Sequence, residues 1–176
     1  MLPGPFRRTF SLALLLAALG CHPSSGRGAS GTRQDARQRG VIPDSEVSIN
    51  GFAPGDSATR VRATLGKPDS VSQPRRGISD IMFQTAYYSD LDVEYADGTV
   101  AYLTCHTQRC RTRAGFTIGS SRTAIEQRYG APADPYPQSW DPATTAFYDG
   151  VTHGCGLSFK YKGLTATGVE IWCDLS

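Results

Sequence analysis

The chain has 176 residues, 39% of them hydrophobic and 19% charged, with 18 Lys and Arg against 16 Asp and Glu. A net charge of +2 and a pI near 8.3 give no electrostatic footprint for nucleic acid, so none is expected as a partner. Five cysteines and three histidines bound the sulfur and metal chemistry open to it.

The N-terminus reads as a processing signal rather than as part of a domain. Arg7 and Arg8 form a basic start, Phe10 to Leu19 is almost wholly apolar, and small Gly20 precedes Cys21. The apolar run is shorter than the roughly 20 residues needed to cross a bilayer, and polar residues follow at once. Ala18-Leu19-Gly20-Cys21 resembles the lipobox of bacterial lipoproteins, which implies cleavage before Cys21 and acylation of its thiol. Arg7-Arg8-Thr9-Phe10 also fits a twin-arginine export signal, although a plain basic start accounts for the same residues. Several buried acyl chains, at about 0.8 kcal/mol per CH₂, would hold the protein stably on a membrane surface. His22 follows the cysteine, in place of the aspartate associated with inner-membrane retention, and this favours the outer membrane.

From His22 to Glu46 the chain is rich in Ser, Gly, Arg and Gln and poor in large apolar side chains. Such a segment buries too little surface to offset the entropy of ordering, so a flexible tether is expected. Residues 1–20 are therefore assigned to a signal peptide and 21–46 to a tether.

The remaining residues contain an internal repeat. GFAPGDSATRVRATLGKPD from Gly51 recurs as GFTIGSSRTAIEQRYGAPA from Gly115, at a constant offset of 64 residues. Each copy reads as a short helix. Ser57 and Ser121 are placed to cap its start, Gly66 and Gly130 to end it with positive φ, and Pro68 and Pro132 to prevent its continuation. Val61 with Leu65, and Ile125 with Tyr129, form the apolar stripe of each helix.

Strands follow each helix. Ile81 to Tyr88 reads as one; Leu91, Val93 and Tyr95 then alternate with Asp92 and Glu94, Asp97-Gly98 supplies a two-residue turn, and Val100 and Tyr102 resume the alternation. That register puts Tyr95, Val100, Val93 and Tyr102 on one face and Leu103 on the other. Later, Leu157, Phe159 and Tyr161 alternate, then Val169 and Ile171. The expected fold is α+β: two tandem helix-plus-antiparallel-meander units, 47–110 and 111–176, forming a layer of short helices on antiparallel sheet.

Setting Phe159 opposite Val169 places Cys155 opposite Cys173, so a disulfide is expected there in an oxidising compartment. Cys105 and Cys110 are then left to pair across His106 to Arg109. A four-thiolate zinc site is the competing use of these cysteines, but only Cys105 and Cys110 approach the spacing it favours.

The pattern Gly-x-x-x-Gly-x-Ser-x-x-x-Val-x-x-x-Leu-Gly-x-Pro, followed by an antiparallel meander, resembles the repeat of the β-lactamase inhibitory protein. It is also similar to the small lipoprotein subunit of the outer-membrane β-barrel assembly machinery. The resemblance covers Gly51 to Cys173 and implies a cofactor-free binding protein that presents a sheet surface and loops to other proteins.

Catalytic equipment is not apparent. His106 and His153 read as loop residues, no serine occupies a G-x-S-x-G elbow, and no Walker lysine follows the turn glycines. No catalytic residue, cofactor or metal is expected. Alternation directs Trp172 away from the helices, and exposed tryptophans are common interface anchors. The expected contact surface comprises Trp172, Leu103, Glu94 and Lys160. The function this implies is a non-catalytic envelope lipoprotein, facing the periplasm or the cell surface, that binds a protein partner as an assembly factor, scaffold or inhibitor. The alternative is a lipoprotein that binds a small molecule or glycan in a pocket of Tyr87, Tyr88, Tyr148 and Trp172.

Overall fold

The alternating segments form strands, and their register decides which residues share a face. A computed structural model describes residues 39–133, 140–152 and 154–175, within a compact unit spanning Gln34–Ser176. The signal segment, Cys21 and His153 lie outside the described residues. Strand β1 is Val41–Ile42, β2 Ser70–Val71, β3 Arg75–Arg76, β4 Met82–Tyr87, β5 Leu91–Ala96, β6 Thr99–Cys105, β7 Thr145–Gly150, β8 Cys155–Lys162 and β9 Thr165–Cys173. They lie in one sheet in the order β1-β7-β8-β9-β6-β5-β4-β2, with β3 also paired to β4. Only β1 on β7 is parallel, which makes the sheet mixed.

Asp97 and Gly98 turn β5 into β6 with φ of 47° and 82°, the two positive values that a type I′ turn requires. The seam between β6 and β9 pairs Leu103 with Ile171 and Thr104 with Glu170. Among the described residues, no helix is long and apolar enough to cross a membrane.

Helix α1 (Ala58–Leu65) and helix α2 (Arg122–Tyr129) stand where the repeated segment places them. Gly66 and Gly130 end them with φ of 83° and 86°. The starts differ: Ser57 Oγ accepts from Arg60 N at 3.2 Å, whereas the Ser121 side chain makes no capping bond. Val61 and Ile125 are fully buried, and Tyr129 is nearly so, but Leu65 is 36% exposed. The stripe on α1 is thus narrower than the sequence suggests.

The expected α+β layering does not form. Of the described residues 41% are in strands and only 16% in helices, in a continuous nine-stranded sheet rather than a helix layer over repeated helix-plus-meander units. The physical reason is reach. Eight helical residues span about 12 Å, while eight strands abreast at about 4.8 Å spread over roughly 34 Å. Two such helices cannot cover the sheet. Irregular backbone covers much of the rest with Val47, Ile49 and Phe52, and with partly buried Phe116 and Ile118. Beneath them lie Leu91, Val93, Leu103, Leu157, Phe159, Val169 and Ile171, each no more than 1% exposed. Val41–Ile42, assigned from sequence to the tether, belongs to the sheet, as does β7, which the alternation did not single out.

A β-bulge overturns one part of the expected register. Tyr95 pairs with Val100 as the two-residue turn demands, but Glu94 then pairs with Tyr102 and Val93 with Leu103. The extra residue, Ala101, reverses the facing of everything after it, because side chains alternate with a period of two. Leu103 therefore points into the core and Tyr102 out of it.

Candidate functional site

The face of the sheet away from α1 and α2 is the candidate site. Phe147, Ser158, Glu170, Thr104 and Asp92 follow one another across five strands of that face. Trp172 stands opposite Gly156, Lys160 between Thr145 and Gly168, and Glu94 between Thr85 and Tyr102. Phe147, Phe83 and Ala101 are buried yet stand apart from the main core cluster.

Of the four expected contact residues, the structure brings Trp172, Glu94 and Lys160 to this face and removes Leu103. Leu103 is 0% exposed and packs in the core at the β6–β9 seam, so it is not available to a partner. The bulge at Glu94/Tyr95 is the cause, and Tyr102 takes its place on the outer face.

Trp172 is half-buried and meets Phe147 edge-on, with ring centroids 5.4 Å apart at 87°. Trp140 also meets Phe147, with ring centroids 3.7 Å apart at 37°. The Trp172 Nε1 is buried and finds no hydrogen-bond partner among the described residues. An unsatisfied buried donor of this kind costs about 1–3 kcal/mol. Tyr102 donates its hydroxyl to Cys173 O at 2.8 Å, and burial raises its phenol above the usual value.

The charged side chains are paired within the face. Lys160 Nζ is 2.6 Å from Glu170 Oε1, and Arg75 is 2.7 Å from Glu94 Oε1, to whose other oxygen Thr85 donates at 3.2 Å. At solvent-exposed positions each pair contributes about 0–1 kcal/mol, so these contacts orient side chains more than they stabilise the fold. Asp149 shares this face with Phe147 by strand alternation. Burial alone raises its carboxyl above the ordinary carboxylate value.

Phe147 and Trp140 are not among the expected contact residues, although the sequence around Phe147 carries a signal. Ala146-Phe147-Tyr148 is apolar at consecutive positions, which marks a strand buried on both faces. The proposed aromatic pocket does not assemble. Tyr148 is fully buried on the helix side, with its hydroxyl 3.3 Å from Gly130 O, while Trp172 is on the opposite face and Tyr87 is exposed on β4.

Cys155 and Cys173 are bonded and stand directly opposite each other, as the hairpin register requires. Their bond leaves no four-thiolate site. Among the described residues, no group of three or more His, Cys, Asp or Glu is placed to hold a metal. The second expected bridge is not formed: Cys105 and Cys110 are free and buried. Cys105 lies opposite Leu91, so it has no cross-strand cysteine. The neighbouring Cys110 side chain and burial raise the Cys105 thiol above its ordinary value, and Cys110 Sγ donates to Asp90 O at 3.0 Å.

His106 Nε2 is 2.8 Å from Asp92 Oδ2, and no hydroxyl or thiol among the described residues hydrogen-bonds to that imidazole. No family model matches the chain, nor does any curated protein or solved structure.

Proposed function

We propose that this chain is an exported bacterial lipoprotein, acylated at Cys21, that binds a protein partner across the helix-free face of its sheet without catalysing a reaction. The observation that carries the reading is Trp172: a half-buried ring on that face, set edge-on to Phe147, whose indole N–H has no acceptor among the described residues. A partner laid over this face would cover the parts of the Trp172 and Trp140 rings that remain exposed beside buried Phe147. Buried tryptophans of this kind recur among binding hot spots. Glu94 and Lys160 flank the rings as the polar rim, each held by its own ion pair. The resemblance of the repeated Gly, Ser and Pro pattern to envelope binding proteins supports the same reading. Anchoring at the outer membrane, toward the periplasm or the cell surface, is part of it.

A photocrosslinking residue at Lys160, introduced into the full-length protein in its native envelope, tests the proposal. A discrete protein adduct is expected from Lys160 and none from Thr59, which is exposed on α1. Trp172→Ala should remove the adduct while the purified domain keeps a cooperative unfolding transition, and Cys21→Ser should release the protein from the membrane fraction. Equal adducts from both positions, or an adduct indifferent to Trp172→Ala, would refute the assigned face.

A further inference from the structure

The loop that joins β6 to the segment before α2 is built around one residue, Asp90. His106 N donates to Asp90 O at 2.9 Å, and Cys110 Sγ donates to the same carbonyl at 3.0 Å. The Asp90 carboxylate accepts from Thr107 Oγ1 at 2.8 Å and from Arg109 Nε and NH2 at 3.0 and 2.7 Å. Four of the five residues from His106 to Cys110 are thus tied to Asp90. Beneath this clasp Cys105 and Cys110 are free, 5% and 0% exposed, while His106, Gln108 and Arg109 above them are open to solvent.

We infer that Cys105 and Cys110 form a redox-active dithiol that closes to a disulfide by exchange with an external disulfide, and that the Asp90 clasp controls access to it. Cys110 attacks first. The Cys105 side chain beside it, with the backbone of His106 and Thr107, holds its thiol below the ordinary value against the opposing effect of burial. The same contact and burial push Cys105 up, keeping it protonated in reserve. The Cys110 thiolate displaces one half of the external disulfide as a thiolate and forms a mixed disulfide. Cys105 then gives up its proton, attacks the Cys110 sulfur and expels the second half. Two electrons pass from the pair to the external disulfide, which leaves as two thiols. The sequence spacing anticipates this bond; the structure shows it open, with both sulfurs behind a loop that must move before an oxidant reaches them.

The role of Cys155–Cys173 is different. Its sulfurs are joined across paired strands, with no loop between them and their partner to unclasp.

The experiment uses the full chain, reduced, freed of reductant, exposed to oxidised glutathione and quenched at intervals, with each cysteine peptide quantified by mass spectrometry. Wild type should form Cys105–Cys110 slowly. Asp90→Ala should accelerate closure at least tenfold, and Arg109→Ala, which loosens the clasp from its exposed side, severalfold. Cys105→Ser should trap glutathione on Cys110, while Cys110→Ser should leave Cys105 largely unmodified. Unchanged rates in both clasp variants would overturn the gate. Glutathione on Cys105 of the Cys110→Ser protein at the wild-type rate would overturn the assigned order of attack. If Asp90→Ala does not fold, Arg109→Ala alone decides the gating.

Discussion

Leu103→Ala removes three carbons from a side chain that is 0% exposed at the only seam joining β6 to β9. Their transfer alone amounts to about 2.4 kcal/mol at roughly 0.8 kcal/mol per CH₂, and a cavity term adds to it. Val93 and Ile171 stand opposite Leu103 on its two neighbouring strands, and those strands cannot collapse inward without breaking the ladder. A loss of about 3–4 kcal/mol follows, well inside the range of about 2.7–5 found for buried leucines. Against a typical total of about 5–15 kcal/mol this is a large fraction. At about 4 °C per kcal/mol for a domain of this size, the melting point should fall by roughly 12–16 °C. Urea denaturation should show a lower midpoint with an unchanged slope. Tyr102→Lys is the companion measurement. It loses the hydrogen bond to Cys173 O but places its ammonium on the open face, and should cost about 1–2 kcal/mol. A Leu103→Ala loss below about 1 kcal/mol, with the larger loss at Tyr102, would mean that the strands pair without the bulge.

Three further outcomes are expected. Replacing both Cys155 and Cys173 by alanine, which frees a loop with a sequence separation of 18, should lower stability by about 3 kcal/mol in the chain-entropy treatment, read by thermal unfolding without reductant. Ser57→Ala should cost about 1 kcal/mol through the lost bond to Arg60 N, whereas Ser121→Ala should cost much less, since Ser121 makes no such bond. Asp149→Asn should raise the melting point at pH 7. The folded carboxyl is raised above its unfolded value, so the wild type is relatively more stable below the unfolded pKa and loses that advantage as pH rises through the folded one. The two proteins should therefore converge on acidification, and a gap that widens instead would contradict burial as the cause.

Much of the local structure was legible along the chain. The repeated Gly, Ser and Pro positions located both helices, and Asp97-Gly98 located a hairpin, because caps and turns are decided by a few neighbouring residues. The β8–β9 register was legible for the same reason: alternation on both strands aligned Cys155 with Cys173. The site was legible only in part. Trp172, Glu94 and Lys160 reach the outer face, but one unpaired residue at Ala101 sent Leu103 inward, and alternation contains no mark of where a ladder slips. The Cys105–Cys110 bridge followed from spacing and elimination, neither of which senses that Asp90, from the turn before β5, ties down the loop between the two thiols.

What the amino-acid sequence determined unaided was therefore short in range: helix ends, hairpin turns, the facing of uninterrupted strands and one cross-strand sulfur pair. These rest on interactions within a few residues or directly across one turn. Tertiary structure alone decided that all nine strands join one mixed sheet, that β6 meets β9, that Val41–Ile42 is drawn into its edge and that Trp140 and Trp172 both pack on Phe147. Those outcomes depend on burial shared among segments distant in the chain, where the free energy belongs to the assembled face and to no single stretch of sequence.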